Sequence, residues 1–141
     1  MALILVMAMI GLYFGYSLLE RNISTEGNGY KMNINIDGKK YSVSLEDNET
    51  VKELILRLPL ELKMNELNGN EKYYYLDESL PTSSERVGRI QKGDIMLYGD
   101  DCLVIFYESF NTPYSYTKIG RIDNPDDLNL GSGKVSVLFS E

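Results

Sequence analysis

Short stretches of alternating apolar and polar residues, separated by turn residues, follow one another along most of the chain. In the first two, Met32–Ile36 and Tyr41–Leu45, every second residue is apolar. A period of two is typical of a strand with one buried face. Asp37-Gly38 lies between them and favours a tight hairpin turn. The folded part of the chain is therefore predicted to begin, near Tyr30, with a β-hairpin.

One segment has the period of a helix instead. Thr50 and Glu53 have the spacing of a capping box at its start, and Pro59 ends it. Its apolar residues share one helix face: Val51, Leu54, Ile55 and Leu58. We expect this single short helix to be a plug or lid at the end of a barrel.

The remainder of the chain repeats strand and turn. Five further segments have strand length: Leu60–Asn65, Glu71–Leu76, Asp94–Tyr98, Cys102–Phe110 and Lys134–Phe139. Many short strands with one helix predict a mainly β domain, residues 30–141, folded as a closed barrel. Closure removes the free strand edges that promote aggregation.

The N-terminal segment is of a different kind. Residues 2–19 are almost wholly apolar, and the first charged side chain is Glu20. Such a segment reaches the lower length limit for a helix that spans a bilayer. Residues 1–19 are therefore predicted to be a transmembrane anchor or a cleaved secretory signal, and residues 20–29 a polar linker. Either reading places the barrel outside the cytoplasmic membrane, tethered by the N-terminal helix alone or secreted.

Composition argues against several classes of function. The net charge is −7 and no basic patch is visible, so nucleic acid is not an expected partner. The chain has no histidine, which removes the commonest general base and metal ligand. Its one cysteine, Cys102, lies in an apolar run and is expected to be buried. We expect no metal, no cofactor and no covalent catalysis.

Several motifs occur in a specific order between Met32 and Phe139. They are Glu71-Lys-Tyr-Tyr-Tyr-Leu, Leu80-Pro81, Gly88-Arg89-Ile90, Gly93-Asp94-Ile95-Met96-Leu97-Tyr98-Gly99, Phe106-Tyr107-Glu108-Ser109-Phe110, Tyr114-Ser-Tyr-Thr and Ile119-Gly120-Arg121-Ile122. Together they resemble the bacterial cyclophilin-like domain family. The resemblance implies a closed cyclophilin-like β-barrel, related in fold to the peptidyl-prolyl isomerases, and assigns no activity.

True cyclophilins use an arginine in a Phe-x-Arg-type motif and have a Phe-Phe pair near the substrate proline. This chain has neither motif. We therefore predict an extracytoplasmic module that binds a peptide segment or small ligand without catalysis, in an oligomeric state that the sequence does not indicate. Two alternatives stay open. One is a peptidyl-prolyl isomerase with a nonstandard site, which needs only a cleft that favours the twisted amide. The other is a docking partner of a flavodoxin-like or other redox protein, since some such family members occur beside flavodoxin-like proteins.

Aromatic and charged residues of the predicted strands indicate one candidate site. In a strand Cys102–Phe110, Phe106 and Glu108 share a face. If Phe106 points into the barrel, Glu108 lies at its mouth, where Arg121 from the next strand can pair with it. The predicted ligand site comprises Tyr75, Tyr98, Phe106, Glu108, Tyr116 and Arg121. The alternative is that the tyrosines belong to the core and Glu108 to a structural ion pair or a solvated strand end.

Overall fold

The computed structural model describes residues 29–141, so the predicted segment 1–19 and all of the predicted linker except Gly29 lie outside the described residues. Within this range one helix, α1, spans Glu49–Leu56. No helix among these residues is both long and apolar enough to cross a bilayer. The strands are β1 Tyr30–Ile36, β2 Lys39–Leu45, β3 Leu60–Leu67, β4 Glu71–Tyr75, β5 Glu85–Arg86, β6 Arg89–Ile90, β7 Asp94–Tyr98, β8 Cys102–Phe106, β9 Phe110–Asn111, β10 Ser115–Ile122 and β11 Val135–Ser140.

Eight strands form a closed antiparallel barrel in the order β2-β1-β11-β3-β4-β8-β7-β10, and β10 pairs with β2 to close the ring. Gly120 lies at this closure, opposite Leu45 on β2 and Ile95 on β7. A Cβ atom at Gly120 would lie 2.4 Å from the carbonyl oxygen of Ser44, so a larger residue does not fit between the two strands. The prediction of a mainly β, closed barrel with one short helix is confirmed.

Helix α1 lies at one end of the barrel. Val51 and Leu54 belong to the same apolar core as the inward-facing strand residues. Because the sheet seals the sides of the barrel, a helix can join this core only through an open end. The predicted cap is wrong by two residues: Asn48 is the N-cap, and its side chain accepts a hydrogen bond from the Val51 N–H at 2.9 Å. Thr50 lies in the first turn, where its hydroxyl donates to the Pro81 carbonyl.

A second apolar layer lies outside the barrel wall. All residues of β8 are buried, but Leu103 and Ile105 belong to the interior core, whereas alternate residues belong to a separate outer cluster. We define the outer cluster by its buried members: Ile90, Met96, Cys102, Val104, Phe106 and Tyr116. The two-stranded β6–β9 sheet, together with the loops around it, covers this layer. The prediction that Phe106 points into the barrel is therefore wrong.

A charged group lies inside the barrel, at the end opposite α1. Helix α1 leads into the start of β3, whereas the charged group lies near the end of β3. Lys72 on β4 is fully buried, and its Nζ donates to Glu66 Oε2, near the end of β3, at 2.7 Å. It also donates to the carbonyl oxygens of Gly131 and Gly133 at 2.7 and 2.6 Å. The Tyr107 hydroxyl donates to Glu66 as well. Three acceptors match the three donors of the ammonium group, so the buried charge is fully hydrogen-bonded.

Candidate functional site

A groove of about 510 Å³ lies on the outside of the barrel wall, against β4, β8 and the segment that follows β9. We call it the aromatic groove. The outer-cluster residues Cys102 and Tyr116 form part of its lining. Four further tyrosines line it: Tyr73 is half-buried, and three are exposed, Tyr75 at 62%, Tyr98 at 46% and Tyr114 at 57%. The groove thus combines a buried floor with exposed aromatic walls.

Two of these tyrosines flank the cysteine. Tyr75 on β4 and Tyr98 on β7 are both register partners of Cys102, which lies on the strand between them. Register partners point to the same face of a sheet, and neighbouring strands lie about 4.8 Å apart. The two tyrosine Cα atoms are therefore roughly 10 Å apart across the Cys102 position. The two tyrosines therefore border the buried Cys102 position on both sides.

The rings of the groove are connected to buried aromatic residues. The Tyr98 centroid lies 6.0 Å from that of Tyr114 and 5.6 Å from that of Tyr116. Tyr116 in turn packs edge-on against Phe106 at 5.6 Å, and Phe106 lies 5.7 Å from Phe110. Edge-on and tilted contacts at these distances stabilise aromatic pairs. The exposed Tyr98 ring therefore packs against the buried Tyr116, and through it against Phe106.

A single carboxylate, that of Glu71, lines the aromatic groove, and no lysine or arginine does. Burial, and to a lesser extent the nearby Glu66 carboxylate, raises the pKa of the Glu71 carboxyl above its ordinary value. None of the ion pairs found within residues 29–141 includes Glu71. The neighbouring Asn70 also lines the groove, and its Oδ1 atom is buried without a hydrogen-bond partner. One end of the groove thus carries two unpaired acceptors.

The Cys102 thiol belongs to the lining but is only 5% exposed. Burial, with a smaller contribution from the Asp101 carboxylate, raises the pKa of the Cys102 thiol to about 11. Because the thiolate is the reactive form, this environment makes Cys102 a poor nucleophile at neutral pH.

We expect Cys102 in the native protein to react with iodoacetamide at least about 100-fold more slowly than in denaturant, given the pKa of about 11 against an ordinary value of 9.0. Mass spectrometry of the alkylated chain measures this directly, since the chain has one cysteine. Fast labelling of the native protein would instead show an accessible thiol and favour a redox role.

The structure brings together four of the six predicted site residues. They lie on the outer side of the barrel wall or in the cluster beneath it: Tyr75, Tyr98, Phe106 and Tyr116. Phe106 supports the groove from below and is fully buried. Whether these residues bind a ligand stays a prediction.

Glu108 and Arg121 lie elsewhere. The strand predicted to reach Phe110 ends at Phe106, so Glu108 is an exposed loop residue and shares no strand face with Phe106. The Arg121 guanidinium donates through Nε to Asp94 Oδ1 at 2.7 Å, not to Glu108. The carboxylate among the aromatic residues is that of Glu71, which the sequence analysis missed. The period of two within Glu71–Tyr75 was the signal, since it places Glu71 on the same face as Tyr75.

Arg121 belongs to a second, polar groove of about 610 Å³ beside the β2–β10 closure. Four of its six charged lining side chains are in ion pairs, Arg121 with Asp94, Lys118 with Glu85 and Asp123 with Lys31, whereas Glu46 and Arg89 form none within the part of the chain that the structure describes. Within residues 29–141 there is no cluster of three potential metal ligands. Ion pairs within the protein account for most of the charge in the polar groove, so the aromatic groove is the stronger candidate site.

Comparison with known proteins agrees with the architecture. Residues 34–140 match the model of the cyclophilin-like family. The solution structure of a hypothetical protein from Archaeoglobus fulgidus is similar, with a TM-score of 0.62 and 22% sequence identity over 83% of this chain and 98% of that chain. Comparison with curated proteins gives no significant match. At 22% identity the structural likeness shows the fold alone.

Proposed function

The chain belongs to the cyclophilin-like family, and from this premise we propose that its barrel is a binding module. It holds a peptide segment or a small ligand in the aromatic groove and carries out no covalent chemistry. The observation that carries this proposal is the set of three exposed tyrosine rings around a groove of about 510 Å³. Exposed, contiguous aromatic surface of this kind is typical of interaction sites.

The size and lining of the groove support ligand binding. Ligand sites commonly have volumes of about 300–1,000 Å³ and combine apolar walls with a few polar groups. Here the tyrosine rings supply the walls, and their hydroxyl groups, with Asn70 and Glu71, supply the polar contacts. Tyrosine suits this role because it offers a large apolar area and a hydrogen-bonding tip at low conformational cost.

The functional groups of the groove favour binding over covalent chemistry. The chain has no histidine to activate a nucleophile. The thiol of Cys102, which would be the obvious nucleophile, has a pKa of about 11 because of its burial. Non-covalent contacts with the aromatic rings and the polar groups of the lining remain as the chemistry that this surface offers.

We also propose that the barrel lies outside the cytoplasmic membrane, held there by residues 1–19 or secreted after their removal. The support for this location is the uncharged, apolar character of residues 2–19.

Replacing Tyr98 with alanine is expected to weaken ligand binding by about tenfold or more, because Tyr98 borders the groove and contacts both Tyr114 and Tyr116. The probes are capped tripeptides that contain proline or an aromatic residue, titrated into the protein and followed by NMR. Leu138→Ala is the matched control, since Leu138 is exposed on β11 and does not line the groove. Equal affinity of both variants, or no binding to the unmodified protein, would contradict the proposal.

A proline-isomerisation assay with the same tripeptides separates binding from catalysis. We expect no acceleration over the uncatalysed rate. Acceleration that Tyr98→Ala abolishes would instead identify the groove as a nonstandard isomerase site.

A further inference from the structure

We infer that the ligand of the aromatic groove is an organic cation, whose ammonium or guanidinium group binds next to Glu71 in the tyrosine-lined groove. This inference rests on the proposed function and specifies the chemical class of its ligand. Three features of the groove carry it: its tyrosine walls, its unpaired carboxylate and the adjacent acceptor without a hydrogen bond.

The first feature is the aromatic walls. A cation is attracted to the face of a tyrosine ring within about 6 Å of the ring centroid. Tyr73 lines the groove two residues from Glu71 on the same face of β4, so a cation next to Glu71 can contact the Tyr73 ring. The cation–π pairs found within residues 29–141 use Tyr41 and Tyr107, neither of which lines the groove. No lysine of the described chain therefore occupies the groove tyrosines in this way.

The second feature is the charge of the lining. Glu71 is the one charged side chain there, it is partly buried, and it forms no ion pair with any residue of the described range. A carboxylate that is partly removed from water is destabilised unless a cation compensates it. The raised pKa of the Glu71 carboxyl agrees with this lack of compensation. A bound ammonium or guanidinium group would provide the missing partner, and an anionic ligand would be repelled.

The third feature is the unpaired acceptor beside the carboxylate. Buried polar atoms almost always have a hydrogen-bond partner. Among the side chains of residues 29–141, Asn70 Oδ1 is the one buried nitrogen or oxygen atom without such a partner. Asn70 and Glu71 are adjacent in the chain and both line the groove. A ligand with N–H donors can satisfy the Glu71 carboxylate directly and the Asn70 amide after that side chain turns toward the groove, whereas an apolar or anionic ligand offers no such donor. A basic side chain of a peptide and a small free amine share this chemistry.

The test compares charged probes with uncharged probes of the same shape. The full 141-residue chain is titrated by calorimetry with a capped Gly-Arg-Gly peptide and with its citrulline analogue. A parallel pair is butylguanidinium and butylurea, which have the same shape and differ in charge. We expect at least one cation to bind about tenfold more tightly than its neutral isostere, because cation–π and carboxylate contacts both require the charge. Tighter binding of the arginine peptide would indicate a basic peptide as the ligand, and tighter binding of butylguanidinium a small free cation.

Two matched variants test whether Glu71 causes the discrimination. Glu71→Gln keeps the shape of the side chain and should reduce the preference for the cation to about twofold or less. Glu108→Gln removes the same charge from an exposed loop outside the groove and should leave the preference unchanged. Circular dichroism confirms that each variant is folded. If Glu71→Gln does not fold, Tyr73→Leu provides the second test and should weaken binding of the cation more than binding of the isostere.

Each result has a defined meaning. Equal affinity for charged and uncharged probes would overturn the inference and leave the groove as a binding site for neutral ligands. An equal loss of preference in the Glu71 and Glu108 variants would overturn the role of Glu71. Absence of binding by any of these probes and by the proline and aromatic tripeptides would contradict the proposed function itself.

Discussion

A Lys72→Met substitution is expected to lower the free energy of unfolding by about 3 kcal/mol. Methionine fills much of the same volume but removes the cation from Glu66 and the donor from the carbonyl groups of Gly131 and Gly133. Lys72 is fully buried and the Glu66 side chain is 18% exposed, so water can replace only part of what is lost. The expected loss of stability is accordingly at the lower end of the range that follows removal of one partner from a buried ion pair. Urea denaturation measures it.

Lys63→Met is the matched control, because Lys63 is exposed on the neighbouring strand β3. It should change stability by no more than about 0.5 kcal/mol. Combining Lys72→Met with Glu66→Gln should cost less than the sum of the two single changes, since both remove the same interaction. A Lys72→Met protein as stable as the unmodified one would show that the network contributes no net stability.

The same network predicts a pH dependence. Burial opposes ionisation of Glu66, but hydrogen bonds from Lys72 and Tyr107 outweigh it and lower the pKa of the carboxyl below its ordinary value. A carboxyl group whose pKa is lower in the folded than in the unfolded protein stabilises the fold at pH values above its unfolded pKa. This stabilisation is lost as the pH falls through the pKa that the group has in the folded protein. Lys72→Met should therefore reduce the loss of stability on acidification.

A Phe106→Ala substitution is expected to lower the free energy of unfolding by about 3–5 kcal/mol. Phe106 is fully buried between the barrel wall and its outer cover, where its ring contacts those of Phe110 and Tyr116. Alanine would leave a cavity at the centre of the outer cluster and remove the support for Tyr116. Thermal and urea unfolding measure the loss, and the tripeptide titration should show weaker binding in the protein that remains folded.

Leu138→Ala serves as the control for Phe106 as well, since it shortens an exposed side chain and should cost about 0.5 kcal/mol or less. A loss below about 1 kcal/mol for Phe106→Ala would be inconsistent with a well-packed outer cluster.

The barrel could be predicted from the sequence where its strands have one buried and one exposed face. In Met32–Ile36 the alternation of apolar and polar residues distinguishes the two faces, and the strand is found there. In β8 both faces are buried, by the interior core and by the outer cluster, so the run Cys102–Phe106 has no alternation. Such a run predicts a strand but not which residues face inward. The orientation assumed for Phe106 was wrong for this reason.

Part of the candidate site could be predicted because strand residues alternate between two faces. Tyr75 and Tyr98 lie on strands whose period places them on a common face, and the structure brings them to one groove. The predicted position of Glu108 in the site required strand β8 to continue for two residues beyond Phe106. Local sequence does not determine where a strand ends. Lys72 binds carbonyl groups 59 and 61 residues away along the chain, and such a contact depends on tertiary structure that no local pattern encodes.

The position of a bound ligand tests the binding function most directly. The isotope-labelled full chain is titrated with the capped Gly-Arg-Gly peptide, and the amide resonances that shift are mapped onto the barrel. We predict saturable shifts confined to the aromatic groove, around Tyr75, Tyr98, Cys102 and Tyr114. Shifts centred on Arg121 and Asp94 in the polar groove, or no saturable shift with any probe, would contradict it.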